Sequence, residues 1–173
     1  MLPLPPEGWV LLVMGVAGSG KTTIGHSLAA ALGARFFDAD DFHSPQNIQK
    51  MKCGEPLDDA DRAPWLAALR DLVGDVLAAR GRAVLACSAL KQAYRQLLRV
   101  DAKHVPVVFL NGSRQLIAAR LRERQGHFAP ESLLASQLAA LEPPEDALEV
   151  DISATPTEVL RTILEQLLGA PAP

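Results

Sequence analysis

The segment Gly15-Val16-Ala17-Gly18-Ser19-Gly20-Lys21-Thr22 constrains this chain more than any other. It fits the phosphate-loop pattern G-x-x-x-x-G-K-[S/T]. An unbroken apolar run, residues 9–14, precedes it and reads as a strand buried on both faces. Residues 21–32 follow and read as a helix ending at Gly33. Glycines let the backbone curl until several N–H groups converge on one phosphate. The helix N-terminus adds positive potential at the same point. In that setting Lys21 reaches the β- and γ-phosphates of ATP, and the Thr22 hydroxyl holds Mg2+. The candidate nucleotide-binding residues are Gly15, Gly18, Ser19, Gly20, Lys21, Thr22 and Thr23. A glycine-rich turn without a ligand is the plainer alternative, and the strand-to-helix placement argues against it.

Strand-like and helix-like segments alternate along the rest of the chain. Strands are expected at 35–39, 82–87, 105–110 and 148–152. Ser44 followed by Pro45 opens a helix that stops near Gly54. Further helices are expected over 58–80, 91–99, 113–124 and 130–141. Thr155-Pro156-Thr157-Glu158 is a capping box that opens the last one. Five strands separated by helices predict an α/β fold of the P-loop NTPase type, a parallel five-stranded sheet flanked by helices. Ligands of such sheets sit beyond the C-terminal ends of the strands. A length of 173 residues predicts one domain, with a core over 9–168 and loose ends at 1–8 and 169–173.

A net charge of -3 gives no support for a nucleic-acid partner. Cys53 and Cys87 have no metal-ligand spacing and read as free thiols of a reducing compartment. The N-terminus lacks the basic start of a secretory signal, and the run at 9–16 is too short to span a bilayer. These readings predict a cytoplasmic protein without a membrane partner.

The second strand runs into Asp38-Ala39-Asp40-Asp41-Phe42-His43. Residues two apart on a strand share a side, so Asp38 and Asp40 are expected to face the phosphate loop together. One carboxylate suits the metal shell, and the other the proton of an attacking hydroxyl. An acidic turn capping the next helix is the alternative. His43 and Asp41 have the weaker cases, as a structural histidine and a turn residue.

Arg120 and Arg124 share a helix face before Gln125-Gly126-His127-Phe128. They are candidates to close over the phosphates as a lid, or to form a solvated basic face. Lys91, Arg95 and Arg99 repeat every four residues and face either an anionic substrate or water. Trp65 reads as core, and Arg62 as a partner of Asp58, Asp59 or Asp61.

Together these segments resemble the bacterial and eukaryotic gluconokinase family. The resemblance rests on 14–22, on 38–43, on Asn47 with Lys50-Met51, and on Gly54-Glu55-Pro56-Leu57 with Asp61-Arg62 and Pro64-Trp65-Leu66. It continues through Cys87-Ser88-Ala89-Leu90-Lys91, Tyr94-Arg95, Gly126-His127-Phe128 and Leu141-Glu142-Pro143-Pro144. It implies a fold similar to shikimate kinase with a mobile lid, and ATP-dependent phosphorylation of D-gluconate at its 6-hydroxyl. By the same resemblance Asp40 matches the base, Asp38 a position near magnesium, and Arg120 and Arg124 the lid arginines. His43, Arg62, Lys91, Arg95 and His127 become candidates for the gluconate site, and a homodimer is implied. The third strand ends in Cys87-Ser88 rather than an aspartate, so the usual second metal-site acid is missing there.

A GTPase would carry Asn-Lys-x-Asp, which this sequence lacks. Asp71-Leu72-Val73-Gly74 matches D-x-x-G but falls inside an expected helix. A non-catalytic ATP-binding regulator, or a kinase of shikimate or another polyol acid, remains the rival reading.

Overall fold

A computed structural model of the chain describes residues 4–53, 55–99, 101–123 and 131–169. The strands are β1 (Trp9–Met14), β2 (Arg35–Asp38), β3 (Arg82–Ala86), β4 (Val107–Asn111) and β5 (Leu148–Asp151). The helices are α1 (Lys21–Leu32), α2 (Pro45–Lys52), α3 (Asp59–Ala78), α4 (Gln92–Leu98), α5 (Arg114–Glu123), α6 (Glu131–Ala140) and α7 (Pro156–Leu168). All four strand pairings are parallel, in the order β2-β3-β1-β4-β5.

The central strand explains why this sheet is covered twice. Trp9, Leu11 and Val13 of β1 join a core with α1 and α7, whereas Val10, Leu12 and Met14 join one with α3 and α4. Successive side chains of a strand leave opposite faces, so an all-apolar strand needs helices on both. Chain order reverses at β1, because β3 lies on one side of it and β4 on the other. A crevice opens at such a switch point, and the loop after β1 lies in it.

Helix ends follow their local chemistry. Gly33 ends α1 in the left-handed conformation with φ 59°. Ser44 Oγ accepts from the Asn47 N–H at 3.1 Å and starts α2. Thr155 and Glu158 form the expected reciprocal capping box of α7. Asp71 to Gly74 lies inside α3, so its match to a nucleotide-switch motif has no strand end to act from.

The N-terminal segment is less loose than expected. Leu4 packs against the α1–α7 core, and the Glu7 carboxylate meets Lys103 Nζ at 3.2 Å and His104 Nε2 at 3.3 Å. Proline-rich composition predicts looseness, but the partial burial of Leu4 and this ion cluster hold residues 4–7 against the rest of the fold. No helix among the described residues is long and apolar enough to cross a membrane.

Candidate active site

The phosphate loop lies between β1 and α1, as its sequence requires. Gly15 has φ 152°, and a Cβ there would stand 2.6 Å from Ser19 Oγ and 2.8 Å from the Leu110 carbonyl. Gly20 caps α1 with φ 93°, and a Cβ there would meet nothing within 4 Å. Gly15 is therefore needed for packing. Gly20 is needed for conformation, and it leaves open space at the helix N-terminus.

Lys21 Nζ donates to the Val16 carbonyl at 3.1 Å, so the ammonium lies over its own loop. The Ser19 N–H donates to Val16 O at 3.2 Å, and its hydroxyl is buried with no hydrogen-bond partner among the described residues. Ser19 thus shapes the cradle from within. Gly18, Ser19, Gly20, Thr23 and Ile24 line one side of a cleft of about 280 Å³. Ile152, Ala154, Pro156 and Val159 line the other, with Arg120 and Glu123 at the α5 edge. The loop after β5 therefore faces the phosphate loop, where a nucleotide base can lie. Arg120 Nη2 donates to the Ile152 carbonyl at 2.7 Å, which ties α5 to that loop. Arg124, Gly126, His127 and Phe128, on which the expected lid rests, lie outside the described residues.

The two carboxylates after β2 come together by a route other than the one the sequence suggested. β2 ends at Asp38, and residues Ala39–Phe42 turn as a 3-10 helix. Strand alternation therefore does not apply to Asp40. Instead Asp38 Oδ1 accepts from the Asp40 N–H at 3.1 Å, an Asx-type turn. Asp38 Oδ2 accepts from Thr22 Oγ1 at 2.9 Å, which joins the carboxylate to the phosphate loop.

Asp40 is the electrostatically perturbed group of this crevice. Burial raises its carboxyl above the ordinary aspartate range, the nearby Asp38 raises it further, and Lys21 opposes both. An acid with these neighbours lies within reach of Lys21's charge and suits proton transfer. The Cys87 thiol at the end of β3 is fully buried and pushed up to about 12, so it stays protonated and unreactive.

Trp65 does more than fill the core. Its Nε1 donates to the Ala39 carbonyl at 2.7 Å and pins the turn that carries Asp40. The His43 ring stacks on Trp65 with centroids 4.5 Å apart and planes 11° from parallel. Burial lowers the His43 pKa, Asp40 opposes the fall and Arg62 adds to it, so the ring is neutral at pH 7. Its Nδ1 is buried and has no hydrogen-bond partner among the described residues. A buried, unsatisfied ring nitrogen beside Asp40 and Arg62 is a polar group waiting for a ligand.

The basic residues divide. The acids expected to pair with Arg62 are engaged elsewhere: Asp58 caps α3, Asp59 bonds Lys91 and Tyr94, and Asp61 bonds Lys50 at 2.8 Å. Arg62 donates to the Leu57 carbonyl instead, while its charge reaches His43, Asp59, Asp61 and Tyr94. Lys91 reaches Asp59 at 2.8 Å and links the starts of α3 and α4. Arg95 is 6% exposed, and its Nη1 donates to Ala89 O at 3.0 Å and Leu90 O at 2.9 Å. It braces a turn in which Ala89 holds φ 43°, a conformation costly for a residue with a Cβ. Arg99 joins Asp146, and its Nε donates to the Val105 carbonyl at 3.1 Å. Helical spacing predicted one basic face; the structure assigns the three residues to three different contacts.

One contact had no sequence signal. Gln137 of α6 accepts from the Ala17 N–H of the phosphate loop at 2.6 Å, across 120 residues of chain. A single glutamine in an apolar helix matches no motif.

A phosphate cradle at the switch point of a parallel sheet, with a perturbed carboxylate two strands away at the same sheet end, is the arrangement of a P-loop kinase, an enzyme transferring phosphoryl groups. The signature of the shikimate kinase family matches residues 17–167. The rat protein named "Probable gluconokinase" is 44% identical, over 91% of this chain and 97% of that one. A gluconokinase of Gluconobacter oxydans is 51% identical, over 79% and 76% of the two chains. The crystal structure of a gluconokinase from Sinorhizobium meliloti 1021 superposes with TM-score 0.85 at 42% identity, covering 95% of this chain and 93% of that one. Shikimate kinase from Aquifex aeolicus, at 20% identity and TM-score 0.57, shares the fold. The chain belongs to the gluconokinase family.

Proposed function

We propose that the protein transfers the γ-phosphoryl group of ATP to the 6-hydroxyl of D-gluconate, giving 6-phospho-D-gluconate and ADP. The observation that carries the reaction type is Asp40: a carboxylate open to the crevice, with its pKa raised by desolvation and Asp38 and coupled to the phosphate-loop lysine. Gluconate as acceptor is supported by the relatives' names.

In this reading the substrate hydroxyl oxygen attacks the γ-phosphorus while its proton passes to Asp40. The bond from the γ-phosphorus to the bridging oxygen breaks, and its electron pair leaves with ADP. Lys21 and the amides of Gly18 and Gly20 hold the donor and offset the charge that develops on it. Arg120, at the edge of the nucleotide cleft, adds charge beside them, and Arg124 is the second arginine assigned to this role from the sequence. Thr22 and Asp38 offer hard oxygen donors 2.9 Å apart, a set that suits Mg2+. They would hold the ion, which supplies charge neutralisation between the β- and γ-phosphates. Among the described residues no cluster of three or more His, Cys, Asp or Glu side chains could hold a metal. Phosphate and water oxygens would complete the shell, as is usual for magnesium.

The acceptor lies on the α2–α3 side. His43 Nδ1 offers a hydrogen bond to a gluconate hydroxyl, and Arg62 offers charge to its carboxylate. Lys91, Arg95 and His127 complete the candidate set, with Arg95 and Lys91 already holding protein partners. Arg62→Ala is expected to raise the Michaelis constant for gluconate by about 10- to 100-fold, the loss of a hydrogen bond to a charged group. The constant for ATP should stay within a factor of about two, since uniform binding at one substrate is being removed. Steady-state kinetics with each substrate varied in turn decides this, and an unchanged gluconate constant removes Arg62 from the pocket. The reading extends to a cytoplasmic homodimer, which light scattering tests as a doubled mass.

The reaction itself is tested by ADP release from Mg-ATP with gluconate, shikimate, glucose, AMP or no acceptor. Turnover on gluconate alone is expected. Turnover on shikimate would keep the kinase and replace the acceptor, and no turnover with any would favour a regulatory ATP-binding role.

A further inference from the structure

α6 and the segment that follows it touch two loops at the C-terminal edge of the sheet. At one point Gln137 Oε1 takes the Ala17 N–H at 2.6 Å. Five residues later, the Glu142 N–H donates to Leu90 O at 3.0 Å, and the Glu142 carboxylate accepts from the Gln92 N–H. Leu90 belongs to the turn after β3 that Arg95 braces. α6 ends at Ala140, so its last turn and the two residues after it join the loop that grips the donor to a loop at the neighbouring strand end. β1 and β3 are neighbours, so a phosphate gripped at the end of β1 would lie beside the turn that follows β3.

We propose that the Gln137 side-chain amide is a hydrogen-bond donor to the γ-phosphate. A glutamine amide carries one acceptor oxygen and two donor hydrogens. The oxygen is fixed by Ala17, which orients the NH2 group, and among the described residues that NH2 has no protein partner. A donor held beside a phosphate loop, with its other end already bonded, loses little conformational freedom when it binds. This inference rests on the kinase reading above for the identity of the phosphate, but its nucleotide test needs no acceptor.

Q137E separates the proposal from a purely structural role. Glutamate keeps an oxygen for the Ala17 N–H, so a helix-to-loop bracket survives, while the NH2 becomes a negative oxygen facing the phosphate. Titration with AMPPNP and with ADP is read by calorimetry. We expect Q137E to weaken AMPPNP by about tenfold or more, and ADP by less than about threefold, because the added repulsion acts at the γ-position. Its melting temperature should match that of the unmodified protein. Q137A should lower kcat by about tenfold or more, with the acceptor Michaelis constant within about twofold. Q137E with normal AMPPNP affinity would overturn the proposal and leave Gln137 as a bracket. Tighter AMPPNP binding by Q137A would also overturn it, since Gln137 would then block the phosphate position. If Q137A fails to fold, the Q137E titrations decide alone. Failure of gluconate turnover in the unmodified protein would sink the acceptor assignment and leave these titrations standing.

Discussion

Lys21→Ala is expected to lower kcat by about 10²- to 10³-fold, the usual loss when one preorganised donor to a developing negative charge is removed. The ammonium lies 3.1 Å from the Val16 carbonyl, so the loop itself holds the charge where the phosphates arrive. Lysine acts here as a point charge on a flexible stem, and Lys21→Arg should not restore the rate, because a planar guanidinium needs space at a different position. A second readout follows from the coupling to Asp40. Lys21 opposes the rise in the Asp40 pKa more than any other group, ahead of His43, so its removal lets that pKa climb further. The acidic limb of the kcat/KM profile should therefore move to higher pH in Lys21→Ala. Near-normal turnover would sink the phosphate-loop assignment, and an unmoved limb would separate Lys21 from Asp40.

What could be read from the sequence is what short stretches of chain determine. The phosphate loop, the glycine that ends α1 and the capping box of α7 are set by neighbours within a few residues, and all lie where expected. The parallel sheet was legible because an apolar strand between helices has few alternatives. Errors arose where one rule was carried past its element. Asp38 and Asp40 do meet, but through a turn that Asp38 itself caps, since β2 stops one residue sooner than alternation assumed. Proximity along the chain pairs Arg62 with the adjacent acids Asp58, Asp59 and Asp61. Those acids are claimed by Lys50, by Lys91 with Tyr94, and by the cap of α3. The contacts that shape the site most are long-range: Trp65 to Ala39, Thr22 to Asp38, Gln137 to Ala17. Each joins elements whose packing must be known first, and a single side chain carries no mark of it. Arg95 illustrates the same limit, since its spacing suggested a basic surface while its guanidinium is buried under a strained turn.

Asp40→Asn should separate activity from stability in opposite directions. Loss of a general base lowers kcat by about 10²- to 10⁴-fold. The amide keeps the shape of the side chain, and ATP affinity should change little, because Asp38 and Thr22 remain to meet the nucleotide. The stability effect has the other sign. Burial and then Asp38 raise the Asp40 pKa, so ionising this carboxyl costs the folded protein more than the unfolded chain. A group with a raised folded pKa lends its full stability below the unfolded value, about pH 4 for aspartate, and loses it as pH rises through the folded value. At neutral pH the ionised carboxylate is thus a net cost that asparagine does not incur. Asp40→Asn should melt at a higher temperature than the unmodified protein near pH 7, with the difference shrinking as pH falls to about 4. Thermal melts across that range, paired with kcat and ATP titrations at pH 7, check both halves. A large loss of ATP binding with intact chemistry would move Asp40 from base to nucleotide ligand. A variant that melts lower at pH 7 would mean that Asp40 holds the fold together, and that its raised pKa does not mark a site where stability has been given up for catalysis.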